Sequence, residues 1–328
     1  MPHNLLVALT RGDHVESEHH GAYCVVERGR VVRSRGDISR PVYYRSAAKP
    51  IQAIAVVESG APDRFEFSEE ELAMVCGSHD GSPHHAGNAI SMLRKCGESA
   101  DLLHCGGHRS ISRDVYERYV RAGYEWGRLE DNCSGKHSGM IAAAKVMGDD
   151  PATYHLISNR IQQANLANVA LFAGVEPEAI PIGTDGCGVP SFAVSLEGMA
   201  RAIALFAEPV DLPDAKIAAA KRLWETTQRH PDMVAGPRRF DTRLMRIGEG
   251  DIFAKEGAEA VHTVAVRERG LGIAVKIADG GKRAMQAVMS ALLVDLGVVA
   301  SDDVEDKYLR PILSREGNPV GEMRVVLR

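Results

Sequence analysis

Nowhere in the 328 residues do two cysteines form a Cys-x-x-Cys pair. The six cysteines lie at positions 24, 76, 96, 105, 133 and 187, a pattern that argues against a zinc ribbon or a thioredoxin-type site. No basic run stands out and the formal net charge is -5, so binding to nucleic acid or to an anionic membrane has no electrostatic support. No stretch approaches the ~20 apolar residues of a membrane span. The N-terminal "MPHNLLVALTRGD" lacks a basic n-region, and its apolar run is too short for a signal peptide. A cytoplasmic location is therefore expected, with the cysteines mostly reduced. Internal repeats and low-complexity segments are also missing.

What is present is ordinary for a globular chain: 45% hydrophobic and 25% charged residues. The length implies one large or two intimate domains. Leu5 to Thr10, Ala22 to Glu27 and Arg30 to Arg35 read as strands, the last two joined by Arg28-Gly29 as a hairpin. A second pair, Ala260 to Val266 and Leu271 to Ala278, is joined by "RERG", and Gly321 to Leu327 reads as a last strand. The middle is helical. Ser68-Glu69-Glu70-Glu71 is a capping box, and Ser82-Pro83 caps a helix over His84 to Lys95. Further helices are expected over Ser138 to Met147, Leu156 to Phe172, Pro190 to Phe206, Pro213 to Thr227 and Arg283 to Leu296. The pattern predicts an α/β (α+β) fold whose antiparallel sheet is built from both termini. Residues 1–65 and 236–328 would form the sheet domain and 66–235 a mainly helical one, with the active site between them.

Within "VYYRSAAKPIQAI", Ser46 and Lys49 stand three apart where a strand runs into a helix, so they share a face. A serine hydroxyl is a weak nucleophile until a base takes its proton. A lysine amine becomes such a base when burial or a nearby cation lowers its pKa from ~10.4. Ser-x-x-Lys is the nucleophile motif of penicillin-binding proteins and class A β-lactamases. It also arises by chance, and a capping serine beside a snorkelling lysine would look the same.

Three clusters add weight. "CGSHDGSPHH" (76–85) puts serines, histidines and an aspartate in an interhelix turn; a polar loop capped by Ser82 accounts for Ser82 but not for Ser78-His79. "DNCSGKHSGM" (131–140) gathers Cys133, Lys136 and His137 at a helix start, where a cap and a small core cysteine would be the plain alternative. "GTDGCGVPSF" (183–192) surrounds Asp185 and Cys187 with glycines, so that backbone can approach a ligand, or simply make a tight turn.

Together these segments resemble the asparaginase II family of the Rhizobium etli type. The motifs are R-S-x-x-K-P at Arg45–Pro50, S-H-x-G at Ser78–Gly81, C-G-x-H at Cys105–His108, N-C-S-G-K-H at Asn132–His137 and G-x-D-G-C-G-x-P at Gly183–Pro190. The resemblance runs from near residue 5 to about residue 280. It implies hydrolysis of L-asparagine to L-aspartate and ammonia, a fold like the serine β-lactamases and glutaminases, and a homodimer. It also implies two Ser-Lys pairs: Ser46 with Lys49, and Ser78 with a lysine of the C-terminal half. That lysine is assigned to Lys255 in "FAKEGAEA", beside a predicted strand at the position of the lactamase K-T-G; Lys276 and Lys282 are weaker candidates. One zinc ion per chain is implied on Cys133, Lys136 and Cys187. Cysteine is an ordinary zinc ligand and lysine is not, and the residues by themselves would suggest His137 or Asp185 as third ligand. "GTDG" superficially resembles the threonine-nucleophile asparaginases, but no T-G-G-T segment stands near the N-terminus.

The resulting expectation is a serine acyl-enzyme amidohydrolase, with backbone N–H groups near Ser46 as oxyanion donors. A zwitterionic substrate needs a cation and an anion, for which Arg45 and Asp185 are the candidates; His79 and Gly186 complete the expected substrate-binding set. The alternatives are a glutaminase or peptidoglycan-type amidase on the same fold, and a non-catalytic protein binding zinc or an amino acid. One methylene is worth only ~1–3 kcal/mol of discrimination, so glutamine stays open.

Overall fold

The computed structural model describes residues 4–309 and 311–328; residues 1–3 of the stretch read for a leader, and residue 310 of the C-terminal sheet segment, lie outside the described residues. Strands β1 (Asn4–Arg11), β2 (His14–Glu27) and β3 (Arg30–Arg35) open the chain. Short strands β4 (Val42–Tyr43), β5 (Ile182–Thr184) and β6 (Pro190–Val194) follow, then β7 (Ile252–Gly257), β8 (Val261–Val266) and β9 (Leu271–Ile277). The last are β10 (Ile312–Leu313), β11 (Pro319–Gly321) and β12 (Met323–Val325).

The main sheet runs β12-β1-β2-β9-β8-β7, with β3 also paired to β2, and its ladders are antiparallel. The fold is thus mixed α/β around an antiparallel sheet drawn from both ends of the chain. Strand β8 is buried at every position and β9 at all but Lys276, as expected of strands covered on both faces. Helices Leu196–Ala207 and Lys282–Asp295 pack on the sheet. The first of these comes from the 66–235 stretch and lies so close that a Cβ on Gly272 would fall 2.0 Å from the Ala200 carbonyl oxygen.

The helical layer is centred on Lys49–Glu58, whose first eight residues are all buried. It contacts helices Ser134–Val146, Arg160–Ala173 and Asp214–Arg229. Pro50 stands in its first turn, where the missing N–H costs nothing. A 3-10 turn, Arg45–Ala48, feeds it. The capping box at Ser68 and Glu71 forms as read, and Ser82 caps Pro83–Lys95.

Four expectations need correction. Pro190 to Val194 is a strand, not the start of a helix: it pairs with β4 and β5, and Ser195 then caps the helix by accepting from the Gly198 amide at 3.0 Å. The helix expected from Ser138 starts at Ser134, and the Ser138 hydroxyl bonds back to the Ser134 carbonyl. The helix expected from Leu156 starts at Arg160, because the Asn159 side chain accepts from the Ile161 amide. The last strand, read as Gly321 to Leu327, is divided between β11 and β12.

Candidate active site

Four segments meet at the head of the central helix: the 3-10 turn, the loop 76–82, the start of helix Ser134–Val146, and the glycine loop after β5. Lys49 lies at the first position of its helix and is 1% exposed. Its Nζ donates to the Gly77 carbonyl at 2.6 Å and to Ser78 Oγ at 2.8 Å, and lies 3.3 Å from Cys133 Sγ. A lysine so placed exchanges its water shell for fixed acceptors, which a buried ammonium or amine requires. The amine that the sequence paired with Ser46 is therefore hydrogen-bonded to the other candidate serine, Ser78.

Ser46 is half-buried and lines a small cavity with Arg45, Ala48, Gln52, Lys136, Asp185 and Ser191. The Ser191 hydroxyl is buried there without a hydrogen-bond partner, so the cavity has unspent polar capacity. Arg45 precedes Ser46 in the left-handed region, φ 50°, an uncommon conformation for a side-chain-bearing residue that costs free energy. Its guanidinium forks onto Asp185, Nε to Oδ2 at 3.0 Å and Nη2 to Oδ1 at 3.2 Å. Burial pushes the Asp185 carboxyl upward, but Arg45 and Lys136 outweigh it and hold the carboxyl below its ordinary value. Gly186 turns its N–H onto Asp185 Oδ1 at 2.6 Å.

Cys133, Lys136 and Cys187 come together although the cysteines are far apart in sequence. The Cys133 thiol donates to Asn132 Oδ1 at 3.1 Å, and Lys136 Nζ lies 3.2 Å from Cys187 Sγ. The Cys133 thiol, helped by Lys136 against the cost of burial, brings Cys187 down to about 5, while Cys133 is pushed up to about 12. Burial presses Lys136 down, yet Cys187, Cys133 and Asp185 outweigh it and hold the ammonium above its usual pKa. Among the described residues, no three His, Cys, Asp or Glu side chains are grouped to hold a metal. His137 faces Tyr154, its Nδ1 2.5 Å from the phenol oxygen, and Asp185 is clasped by Arg45. The third donor beside the two sulfurs is the Lys136 amine. Two cysteine sulfurs, that of Cys187 held toward its thiolate form, and an amine make a donor set that fits zinc once the amine and the Cys133 thiol have lost their protons.

His79 offers no free nitrogen. Its Nδ1 accepts from the Gly81 amide at 3.2 Å, so Nε2 carries the proton toward Ser134 Oγ at 3.1 Å. The ring is fully buried and stacked on His85, and burial holds its pKa well below the ordinary value.

Lys255 occupies β7, at the edge of the sheet, and is fully buried. Its Nζ donates to the Glu256 carbonyl at 2.7 Å. Burial, with Lys49 adding to it and Asp241 opposing, brings Lys255 down to about 7. Lys276 instead donates to the Glu259 carbonyl, and Lys282 pairs with Glu256 at 2.7 Å. Of the three candidates, Lys255 is thus the one within electrostatic reach of Lys49. The end of β7 abuts the Ser46 turn: a Cβ on Gly257 would lie 3.0 Å from the Tyr44 oxygen and 3.2 Å from the Ala47 nitrogen.

Sequence reading missed Gln52 and Ser191. Gln52 had a signal, a lone amide one turn beyond Lys49 on an otherwise apolar helix. Ser191 had none, since its strand was taken for helix.

A buried serine–lysine contact, a second buried lysine whose pKa is lowered, and a carboxylate–guanidinium pair at a cavity that Ser46 lines are groups an amide hydrolase can use. Residues 7–325 match the model of the L-asparaginase II family, and the chain belongs to that family. Membership brings amide hydrolysis as the class of activity. No curated protein matches the chain. Solved structures similar to it include a putative β-lactamase from Bacteroides dorei DSM 17855, 15% identical over 83% of this chain and 93% of that one, TM-score 0.44. A β-lactamase from Mycobacterium bovis is 14% identical over 84% and 94%, TM-score 0.44. The octameric penicillin-binding protein homologue from Pyrococcus abyssi is 13% identical over 87% and 75%, TM-score 0.46. Among the described residues no helix is long and apolar enough to cross a membrane.

Proposed function

We propose that this protein hydrolyses the side-chain amide of L-asparagine to L-aspartate and ammonia through a serine acyl-enzyme, as a family member of the Rhizobium etli type. The observation that most supports this is the Lys49 amine, 1% exposed and 2.8 Å from Ser78 Oγ, three residues after Ser46. Ser46, at the cavity that Arg45 and Asp185 line, attacks the amide carbon. Its proton passes by way of Ser78 to Lys49, and is delivered to the departing nitrogen as the C–N bond breaks. Water then attacks the ester with the same groups working in reverse, releasing aspartate. Lys255, down at about 7, is the second proton acceptor of the pocket. Arg45 receives the substrate carboxylate and Asp185 its ammonium, each exchanging the other for the ligand's complementary group; Gly186 keeps Asp185 turned inward.

Cys133, Lys136 and Cys187 would hold one zinc ion per chain, which would supply a fixed positive charge for orienting the substrate. Lys136 then serves as ligand in its neutral form. The reading also carries a homodimer in the cytoplasm, the former checked by sedimentation velocity.

The decisive measurement is ammonia release by the purified protein from asparagine and from glutamine. Release from asparagine with the higher kcat/KM bears out the proposal. Faster glutamine hydrolysis makes the protein a glutaminase, and no release from either, with zinc bound, makes it a binding protein.

A further inference from the structure

Residues 234 to 241, "VAGPRRFD", form a strap that touches both serine–lysine elements without lining the cavity. The Val234 carbonyl accepts the Ser78 amide at 2.7 Å. Gly236, at φ 145°, brings backbone so near Asp80 that a Cβ would lie 2.0 Å from Oδ2. Arg239 Nη1 donates to Asp80 Oδ1 at 3.0 Å, and its Nη2 reaches Glu256 Oε2 at 3.7 Å. Asp241 is 2% exposed: Oδ2 accepts from the Glu256 amide at 2.9 Å and Oδ1 meets His262 Nε2 at 2.8 Å. The backbone of Glu256 is thus held on both sides of its Cα, its N–H by Asp241 and its carbonyl by Lys255 itself.

We propose that Arg239 and Asp241 are positioning residues for the reaction, Arg239 tying the Ser78 loop to the Lys255 strand and Asp241 holding the N–H of Glu256, the residue whose carbonyl accepts the Lys255 amine. This rests on the hydrolase reading. Neither side chain lines the cavity beside Ser46; both act through Lys255 and the Ser78 loop.

The charges facing Lys255 are Lys49 from the central helix, Asp241 and Arg239 from the strap, Glu256 from its own strand, and the Cys76 thiol at the end of helix Glu69–Val75. Asp241 and Arg239 act on it in opposite senses: the carboxylate favours the ammonium and the guanidinium disfavours it. A strap that held the fold together from beyond electrostatic reach of Lys255 would leave its titration in place when either charge is removed.

The test uses full-length Asp241→Asn and Arg239→Gln, reading the pH profile of kcat and the Lys255 15Nζ resonance in lysine-labelled protein, assigned with Lys255→Met. Asp241→Asn should move the rising limb and the resonance midpoint to lower pH, and Arg239→Gln should move both to higher pH. Each should lower kcat by roughly tenfold to a hundredfold, the scale for a misplaced group, with less change in KM. Displacement in the same direction, or none, overturns the proposal. The resonance reports on Lys255 in the absence of any turnover, so an inactive wild type would remove the hydrolase reading while the strap's hold on Lys255 is still measured. Should one variant fail to fold, Arg239→Lys, which keeps the charge, must leave the limb in place while lowering kcat; a displaced limb there overturns the role equally.

Discussion

Lys136 and Lys255 are both fully enclosed lysines, 3% and 0% exposed, yet they end in opposite states. Burial presses on each in the same sense, toward loss of the proton. Lys136 looks onto two sulfurs and the Asp185 carboxylate, and its pKa stays above the ordinary value. Lys255 looks onto another amine, Lys49, with Asp241 offsetting only part of the cost, and it comes down to about 7. Neighbours, more than depth, decide the outcome. The two lysines are thereby divided: beside the cysteines the ammonium form is favoured, and at the sheet edge the neutral amine.

The division is broken most severely by removing the proton-moving side. Ser46→Ala and Lys49→Met should each reduce kcat by about 10²–10⁴, the usual range for loss of a positioned acid–base group. The double variant should be little worse, since residues that act as a unit are non-additive. Steady-state rates of ammonia release check this. Activity near wild type in Ser46→Ala would hand the attack to Ser78, whose hydroxyl already bonds Lys49.

On the charge-keeping side the corresponding change is Cys187→Ser. Metal analysis of protein purified without added metal should give about one zinc per chain in the wild type, as for one mononuclear site, and close to none in the variant. Substrate affinity should weaken more than kcat. Full zinc occupancy in Cys187→Ser would put the metal elsewhere and leave Lys136 with its thiolate partner as a purely electrostatic pair.

Much of this division was legible in the sequence, and what was not has physical causes. The terminal strands and their hairpins were readable because β2, β8 and β9 carry apolar runs and glycines mark the turns after β2 and β8. Helix starts with a side-chain cap were readable at Ser68 and Ser82, where the cap is the local signal. Pro190–Val194 was misread because a short apolar run has no period of its own, and only its pairing with Val42–Tyr43 and Ile182–Thr184 makes it a strand. Ser46 and Lys49 were visible as a spacing. That Lys49 would turn to Ser78 was not, since Ser78 arrives through the Val234 contact, a long-range fact. Arg239 and Asp241 carried no motif; their roles exist only through the distant Asp80, Glu256 and His262.

The pH dependence sharpens the comparison further. If the neutral Lys255 amine is the active form, kcat should rise with pH through about 7, where that lysine gives up its proton, climbing ~tenfold per unit on the acid side. Lys255→Met should lose that limb. The same group has a stability signature. Its folded pKa lies below the unfolded value of 10.5, so the unfolded chain binds more protons between about 7 and 10.5, and stability conferred at this site rises across that window. Melting temperatures of wild type relative to Lys255→Met should therefore rise from pH 7 to pH 10. A constant difference would mean that Lys255 titrates alike in both states, and the contrast with Lys136 would disappear.

The smallest effect is expected where the two serine–lysine elements merely touch. Gly257 ends the Lys255 strand against the Ser46 turn, and its missing Cβ would stand 3.0 Å from the Tyr44 oxygen and 3.2 Å from the Ala47 nitrogen. Both are backbone atoms, which cannot swing aside as a side-chain tip could, so Gly257→Ala must shift the turn or the strand by a few tenths of an ångström. Overpacking of this kind costs about 1–3 kcal/mol, enough to lower the melting temperature measurably. Because the displaced turn carries Ser46 and the strap-held strand carries Lys255, kcat should fall severalfold while zinc content and the pH of the rising limb stay as in the wild type. A moved limb would mean that the strand, not the turn, gives way, and that Lys255 is held less firmly than Asp241 and the Glu256 peptide imply.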